Sequence, residues 1–95
     1  MTNTIPTPAT THHVTVFYAT WCPYCTNLRT KLSNTDIDYD EVDVEQAGMD
    51  DVNEWIKSVN NGNRIVPTVL YSDGSHATNP TPKDVVAKFA ELTNA

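Results

Sequence analysis

Two cysteines stand with two residues between them in Cys22-Pro23-Tyr24-Cys25, and the chain has no others. An ionised thiol is a nucleophile, and a second thiol one helical turn away can displace what the first has captured. The flanking residues predict where the pair sits. Val14-Thr15-Val16-Phe17-Tyr18 is a run of strand formers, and Leu28, Arg29, Lys31 and Leu32 continue a helical pattern. Pro23 suits the first helical position, where its missing N–H costs nothing and its fixed φ is already helical. Cys22 is then the helix cap, exposed beside backbone N–H groups that have no intrahelical partner. Those of Tyr24 and Cys25, with the Cys25 thiol and the positive end of the helix dipole, favour a thiolate over a thiol. No lysine or arginine lies just before the pair, and the nearest basic residue downstream is Arg29, so the expected effect is moderate. Cys25 points inward with Leu28 and Leu32. Cys22 is the attacking sulfur and Cys25 its potential resolving partner.

Other uses of two cysteines fit less well. A disulfide closing so small a loop restricts the unfolded chain little. A zinc site needs about four ligands. There is no further cysteine, and His12, His13 and His76 stand at non-motif spacings, so no metal is expected. Two core cysteines packed as small hydrophobes are the remaining alternative. C-x-x-C near a strand–helix–strand pattern in a cytosolic-looking chain is the redox signature.

The 95 residues suffice for one domain with one modest core, and a hydrophobic content of 39% suits a soluble globular protein. The net charge of −6 argues against partners such as nucleic acid or an anionic membrane, both of which call for basic patches. Acidic residues concentrate between Asp36 and Glu54, predicting one negative, solvated side. The opening Met1-Thr2-Asn3-Thr4-Ile5-Pro6-Thr7-Pro8 has neither a basic head nor an apolar run, and nothing later is long enough to span a bilayer. A cytoplasmic protein is expected, in a reducing compartment where a cysteine pair is more often catalytic than structural.

Residues 1–12, rich in Thr, Pro and Ala, are expected to form a disordered N-terminal tail, with residues 13–95 a single domain. Val14–Tyr18 reads as a central strand, followed by a helix from Pro23 to Ser33. Asp38–Val44 alternates, with Val42 and Val44 toward the core. A second helix, Gly48–Asn60, carries Val52, Trp55, Ile56 and Val59 on one face and stops at Asn60-Asn61-Gly62-Asn63. Arg64–Tyr71 is a strand with a proline at its mouth, Ser72-Asp73-Gly74-Ser75 a hairpin turn, and His76-Ala77-Thr78 an edge strand. Thr81 caps a third helix with Pro82 at its first position, Asp84 in its first turn, and Val85, Val86, Phe89 and Leu92 as its buried stripe. The order βαβαββα gives an α/β fold. A four-stranded mixed sheet lies between the first and third helices on one face and the second on the other.

That order, with Cys22-Pro23-Tyr24-Cys25 opening the first helix and Val66-Pro67-Thr68 before the third strand, resembles the glutaredoxins and their thioredoxin fold. The resemblance runs from about Val14 to Leu92. It is nearest to the mycoredoxins, the mycothiol-dependent members, in Tyr39-Asp40-Glu41-Val42-Asp43, Ser58-Val59-Asn60-Asn61-Gly62-Asn63-Arg64 and Asp73-Gly74-Ser75 with Asn79-Pro80. It implies a cis Val66–Pro67 peptide that turns the N–H and C=O of Val66 toward Cys22, to pair with the peptide-like part of a bound thiol. It implies Trp21 and Tyr24 as packing surfaces flanking that thiol, with Val66 and Pro67 orienting it. Glutathione-binding members usually carry Gly-Gly and then Asp-Asp before the last helix, a clamp for the γ-glutamyl group. Here the region reads Gly74-Ser75-His76-Ala77-Thr78-Asn79-Pro80. Mycothiol, an acetylated cysteine on a sugar pair, has no γ-glutamyl group to clamp.

The implied activity is a thiol–disulfide oxidoreductase that reduces protein–mycothiol mixed disulfides by a monothiol mechanism. Cys22 attacks, a second mycothiol resolves, and a separate NADPH-dependent mycothiol disulfide reductase recovers the oxidised thiol. Partners are then mycothiol, S-mycothiolated proteins and that reductase; no cofactor is bound and the protein is a monomer. The alternatives are a dithiol redoxin of the ribonucleotide-reductase type reduced by thioredoxin reductase, and a glutathione-dependent glutaredoxin. The first usually ends in a Trp-Ser-Gly-Phe-Arg-Pro-like stretch, missing here. An iron–sulfur-bridged dimer is the non-enzymatic alternative, generally disfavoured by a proline after the first cysteine.

Overall fold

Val14–Tyr18 forms the strand around which the other elements are laid, β1. In the computed structural model, which describes residues 5–94, it is followed by α1 (Pro23–Ser33), β2 (Asp40–Asp43), α2 (Asp50–Ser58), β3 (Thr68–Tyr71), β4 (His76–Thr78) and α3 (Pro82–Thr93). The first four residues of the expected tail, and position 95, lie outside the described residues. The strands are ordered β2-β1-β3-β4. β1 runs parallel to β2, with Phe17 opposite Val42, and antiparallel to β3, with Val16 opposite Val69; β4 is antiparallel to β3. The chain has the expected α/β fold.

The period of two along each strand divides the core. Val14 and Val16 of β1 and Val69 and Tyr71 of β3 join Leu28 and Leu32 of α1 and Val85 of α3 on one face. Phe17 and Leu70 point the other way, where Val44, Trp55 and Ile56 meet them; Trp55 lies 5.7 Å from the Phe17 ring. Burying a side chain the size of Phe17 or Ile56 contributes roughly 1.5–3 kcal/mol, so two such layers hold β1 tightly. On α3, Val85 is fully buried while Val86, Phe89 and Leu92 are half-buried.

Three elements are shorter than their sequence patterns predict. β2 spans Asp40–Asp43 rather than Asp38–Val44, because its partner β1 offers rungs only from Thr15 to Tyr18. α2 begins at Asp50 because Gly48 takes φ +85°, outside the helical region. It ends at Ser58, and the Gly62 N–H closes the turn on the Lys57 carbonyl at 2.8 Å. β3 begins at Thr68, not Arg64: Pro67 has no N–H for the ladder, and the Val66–Pro67 peptide is cis. Residues 64–67 therefore form a connection lying across the end of β1.

Buried Asn60 anchors the start of β3, where that connection ends. Its amide donates to the Ile56 carbonyl at 2.8 Å and to Thr68 Oγ1 at 3.3 Å, and its oxygen accepts from the Thr78 hydroxyl. One side chain thus joins the end of α2 to β3 and β4.

Candidate active site

Cys22 sits where the chain leaves β1 and enters α1. Its backbone is extended (φ −89°, ψ 114°), and Pro23 follows as the first helical residue. Its sulfur accepts the N–H of Cys25 at 3.2 Å, taking the place a serine or aspartate oxygen holds at an ordinary cap. Of the two backbone donors expected on the sulfur, that of Cys25 is the one in place.

The expectation of an exposed Cys22 is corrected: the residue is only 3% exposed. A helix cap is open to solvent unless another segment crosses it, and here residues 64–67 do. The Cys22 thiol donates to the Val66 carbonyl at 3.6 Å, and Cys22 belongs to the buried cluster that holds Phe17, Ala19, Trp55 and Leu70, with half-buried Val66 packed against it. Pro67, next in line, is fully buried.

Cys25 is wholly buried in the same cluster. Burial pushes its thiol from 9.0 up to about 12, and its hydrogen bond with Cys22 adds to the rise. Cys25 is thus a proton-bearing neighbour of the Cys22 sulfur throughout the neutral range.

A stability prediction follows with a definite sign. The folded protein keeps the Cys25 proton up to about 12, whereas an unfolded chain releases it near 9.0. More protons are then bound folded than unfolded, so stability falls as pH climbs through that window. Tyr71, raised by burial from 10.0 to about 12, with Asp84 and Asp73 adding, steepens the upper part of the fall. Urea unfolding midpoints followed into alkali should decline, and Cys25→Ser, which does not titrate there, should flatten the start of the decline. Identical pH profiles for parent and variant would contradict this.

Beside the cysteines in sequence are two large exposed rings, Trp21 at 62% and Tyr24 at 66% exposure. Trp21 Nε1–H donates to Glu45 Oε1 at 2.7 Å, and Arg64 donates to the other oxygen of Glu45 at 2.9 Å. These two bonds hold the Glu45 carboxyl below its ordinary value, Arg64 first and Trp21 second. Arg29, the basic residue nearest the pair in sequence, is engaged elsewhere, 2.8 Å from Glu41 and stacked 3.7 Å over the Tyr18 ring. Cys22, Cys25 and Val66 meet in one cluster, with Pro67 continuing the segment and Trp21 and Tyr24 flanking the sulfur in sequence. Glu45 and Arg64 went unsingled in the sequence, hidden in an acidic run and at the start of an expected strand. The available signal was the position of Glu45 just past a strand parallel to the one that leads to Trp21.

A cavity of about 440 Å³ lies between His12, His13, Asp38, Ser72 and Phe89, by the start of β1 and away from the cysteines. His13 is bonded there to the Ser72 hydroxyl at 2.7 Å. Among the described residues no group of three or more His, Cys, Asp or Glu is placed to hold a metal ion, and no helix is long and apolar enough to cross a membrane.

A cysteine capping a helix, a second one turn inside it, and a proline-bearing segment crossing over the first is an arrangement made for thiol exchange. The glutaredoxin family model matches residues 14–77, which takes in all of these parts. The chain belongs to the glutaredoxin family. It is 51% identical over 80 residues to Mycoredoxin 1 of Corynebacterium glutamicum, a match covering 84% of this chain and 96% of that protein. It is 44% identical over 79 residues to a protein of Mycobacterium tuberculosis named as a glutaredoxin, covering 83% and 92%. Among solved structures, the glutaredoxin of Archaeoglobus fulgidus superposes with a TM-score of 0.64 at 20% identity, over 80% of this chain and 84% of that one. A buckwheat glutaredoxin–glutathione complex gives 0.64 at 20% identity, over 85% and 76%. At that identity the solved structures speak to the fold alone. As a glutaredoxin closely related to a mycoredoxin, the chain is a thiol–disulfide oxidoreductase.

Proposed function

We propose that this glutaredoxin removes mycothiol from protein cysteines. The observation that carries the reading is the 51% identity to a mycoredoxin across nearly the whole of that protein. Cys22 as thiolate attacks the mycothiol sulfur of a protein–mycothiol mixed disulfide. The Cys22–mycothiol disulfide forms, the protein–mycothiol bond breaks, and the protein thiolate leaves and takes up a proton. A second mycothiol thiolate then attacks the mycothiol sulfur on Cys22, giving free Cys22 and oxidised mycothiol, which a separate reductase returns to two thiols with a hydride from NADPH and a proton from solvent. Cys25 keeps its proton, steadies the Cys22 thiolate, and can close an intramolecular disulfide with it as a side branch. Trp21 and Tyr24 pack against the bound thiol, and Val66 and Pro67 orient it. The protein works as a cytoplasmic monomer.

The geometry supports this order of events. The Cys22 sulfur already accepts one N–H, and its proton points at the Val66 carbonyl, a group that a bound thiol's amide can take over once the sulfur has ionised. The test is the electron donor. With NADPH, mycothiol and mycothiol disulfide reductase, turnover on a model mixed disulfide should be sustained; with NADPH and thioredoxin reductase it should not. Turnover by thioredoxin reductase alone would replace the reading with that of a dithiol redoxin.

A further inference from the structure

Glu45 is the first residue past the end of β2 whose side chain reaches the mouth of the site. The Val44 N–H donates to the Tyr18 carbonyl at 2.9 Å, carrying the parallel pairing one rung beyond β2. That rung brings Glu45 alongside the turn holding Trp21. Its own N–H is fixed on Asp43 Oδ1 at 2.9 Å. From there one carboxylate oxygen takes the Trp21 indole N–H at 2.7 Å and the other takes Arg64 at 2.9 Å. Arg64 also reaches Asn53 Oδ1 at 3.4 Å, and the Asn53 amide donates to the Val44 carbonyl at 3.0 Å. The contacts Glu45, Arg64, Asn53 and Val44 close on themselves through the Val44–Glu45 peptide, and Trp21 hangs from this ring by its bond to Glu45.

We propose that Glu45 is a positioning residue for thiol capture, its carboxylate clasping Trp21, the neighbour of Cys22, to Arg64 of the segment that carries Val66. Trp21 immediately precedes Cys22, and Arg64 stands two residues before the Val66 carbonyl that meets the Cys22 sulfur. An indole 62% exposed has little packing to fix its rotamer, so its hydrogen bond decides where the ring points. The clasp contributes little to overall stability, because ion pairs this exposed are worth little. Its effect is on order at the mouth. With Trp21 fixed, a thiol approaching Cys22 meets a standing wall and loses no freedom in setting it up. An acidic residue here also leaves Arg64 neutralised, so the mouth does not call for a carboxylate-bearing thiol. This rests on the reading above, in which Cys22 captures the thiol beside Trp21.

The test compares Glu45→Ala with Glu45→Gln, whose side-chain oxygen can still accept the indole N–H. The first readout is the indole ¹H–¹⁵N nuclear Overhauser effect of Trp21, assigned from Trp21→Phe, with buried Trp55 as the internal reference. The second is the split of KM against kcat on a peptide–mycothiol mixed disulfide. In Glu45→Ala the Trp21 signal should show a mobile ring while Trp55 is unmoved. KM should rise about threefold to tenfold, the loss of one or two net hydrogen bonds, with kcat changed less than about twofold. Glu45→Gln, with one oxygen left for the two donors, should restore part of both. An unchanged Trp21 signal in Glu45→Ala overturns the proposal, as does a Glu45→Gln variant as impaired in KM as Glu45→Ala. If the parent does not act on the mycothiol substrate, the proposed function fails instead. The nuclear Overhauser effect and KM on a glutathione mixed disulfide then decide the role of Glu45 by the same outcomes.

Discussion

Cys22→Ser is expected to abolish turnover, a loss on the order of 10³-fold or more, because removing the nucleophile removes the covalent route altogether. Cys25→Ser should keep most of the activity on protein–mycothiol mixed disulfides. The contrast comes from what each residue gives the reacting sulfur. The hydrogen bond that reaches Cys22 at 3.2 Å is donated by the Cys25 backbone, which serine retains, and a serine hydroxyl can still donate where the thiol did. What Cys25→Ser removes is the second sulfur, needed only if the enzyme resolves its mixed disulfide internally. Steady-state rates of the two variants on one S-mycothiolated protein make the comparison. Loss of activity in Cys25→Ser on every mixed disulfide would sink the monothiol order of events.

The second large effect concerns which thiol is released. The same target cysteine carrying glutathione should be reduced about tenfold to a hundredfold less efficiently than when it carries mycothiol, since a polar group left unpaired at a partly buried site costs roughly 1–3 kcal/mol. The first turn of α3 supports this. Pro82 has no N–H to offer, and the Asp84 N–H is already held by Thr81 Oγ1 at 3.1 Å. Leading into that turn, the Asn79 N–H is bonded to the Pro67 carbonyl at 2.8 Å, which holds the loop from β4 beside the segment crossing Cys22. Each adduct is compared with its own reductase in excess. Equal efficiency, or a preference for glutathione, would return the chain to the general glutaredoxins.

Much of this was legible in the residues. Pro23 after a capping cysteine marked the start of α1, and the Thr81-Pro82 pair marked that of α3, because capping chemistry is local and needs no knowledge of the rest of the fold. The face of α2 could be read for the same reason, from the spacing of Val52, Trp55, Ile56 and Val59, all of which pack on one cluster. What the residues concealed depended on contacts between distant segments. The buried Cys22 thiol meets the carbonyl of Val66, 44 positions away, and the strand expected from Arg64 loses its first rungs to Pro67. Glu45 looked like one more member of a solvated acidic run, yet its two oxygens are taken by Trp21 and Arg64, partners 24 and 19 positions distant. Side-chain partners chosen across the mouth of a site leave no periodicity in a sequence.

The most direct test of the central claim is to learn which sulfur Cys22 attacks. Reduced Cys25→Ser protein is mixed with one equivalent of an S-mycothiolated protein, without free mycothiol, and intact masses are recorded along with the peptide bearing Cys22. The account predicts that mycothiol moves to Cys22 and that the target protein is released as a free thiol. A disulfide between Cys22 and the target protein, with mycothiol set free, would contradict it.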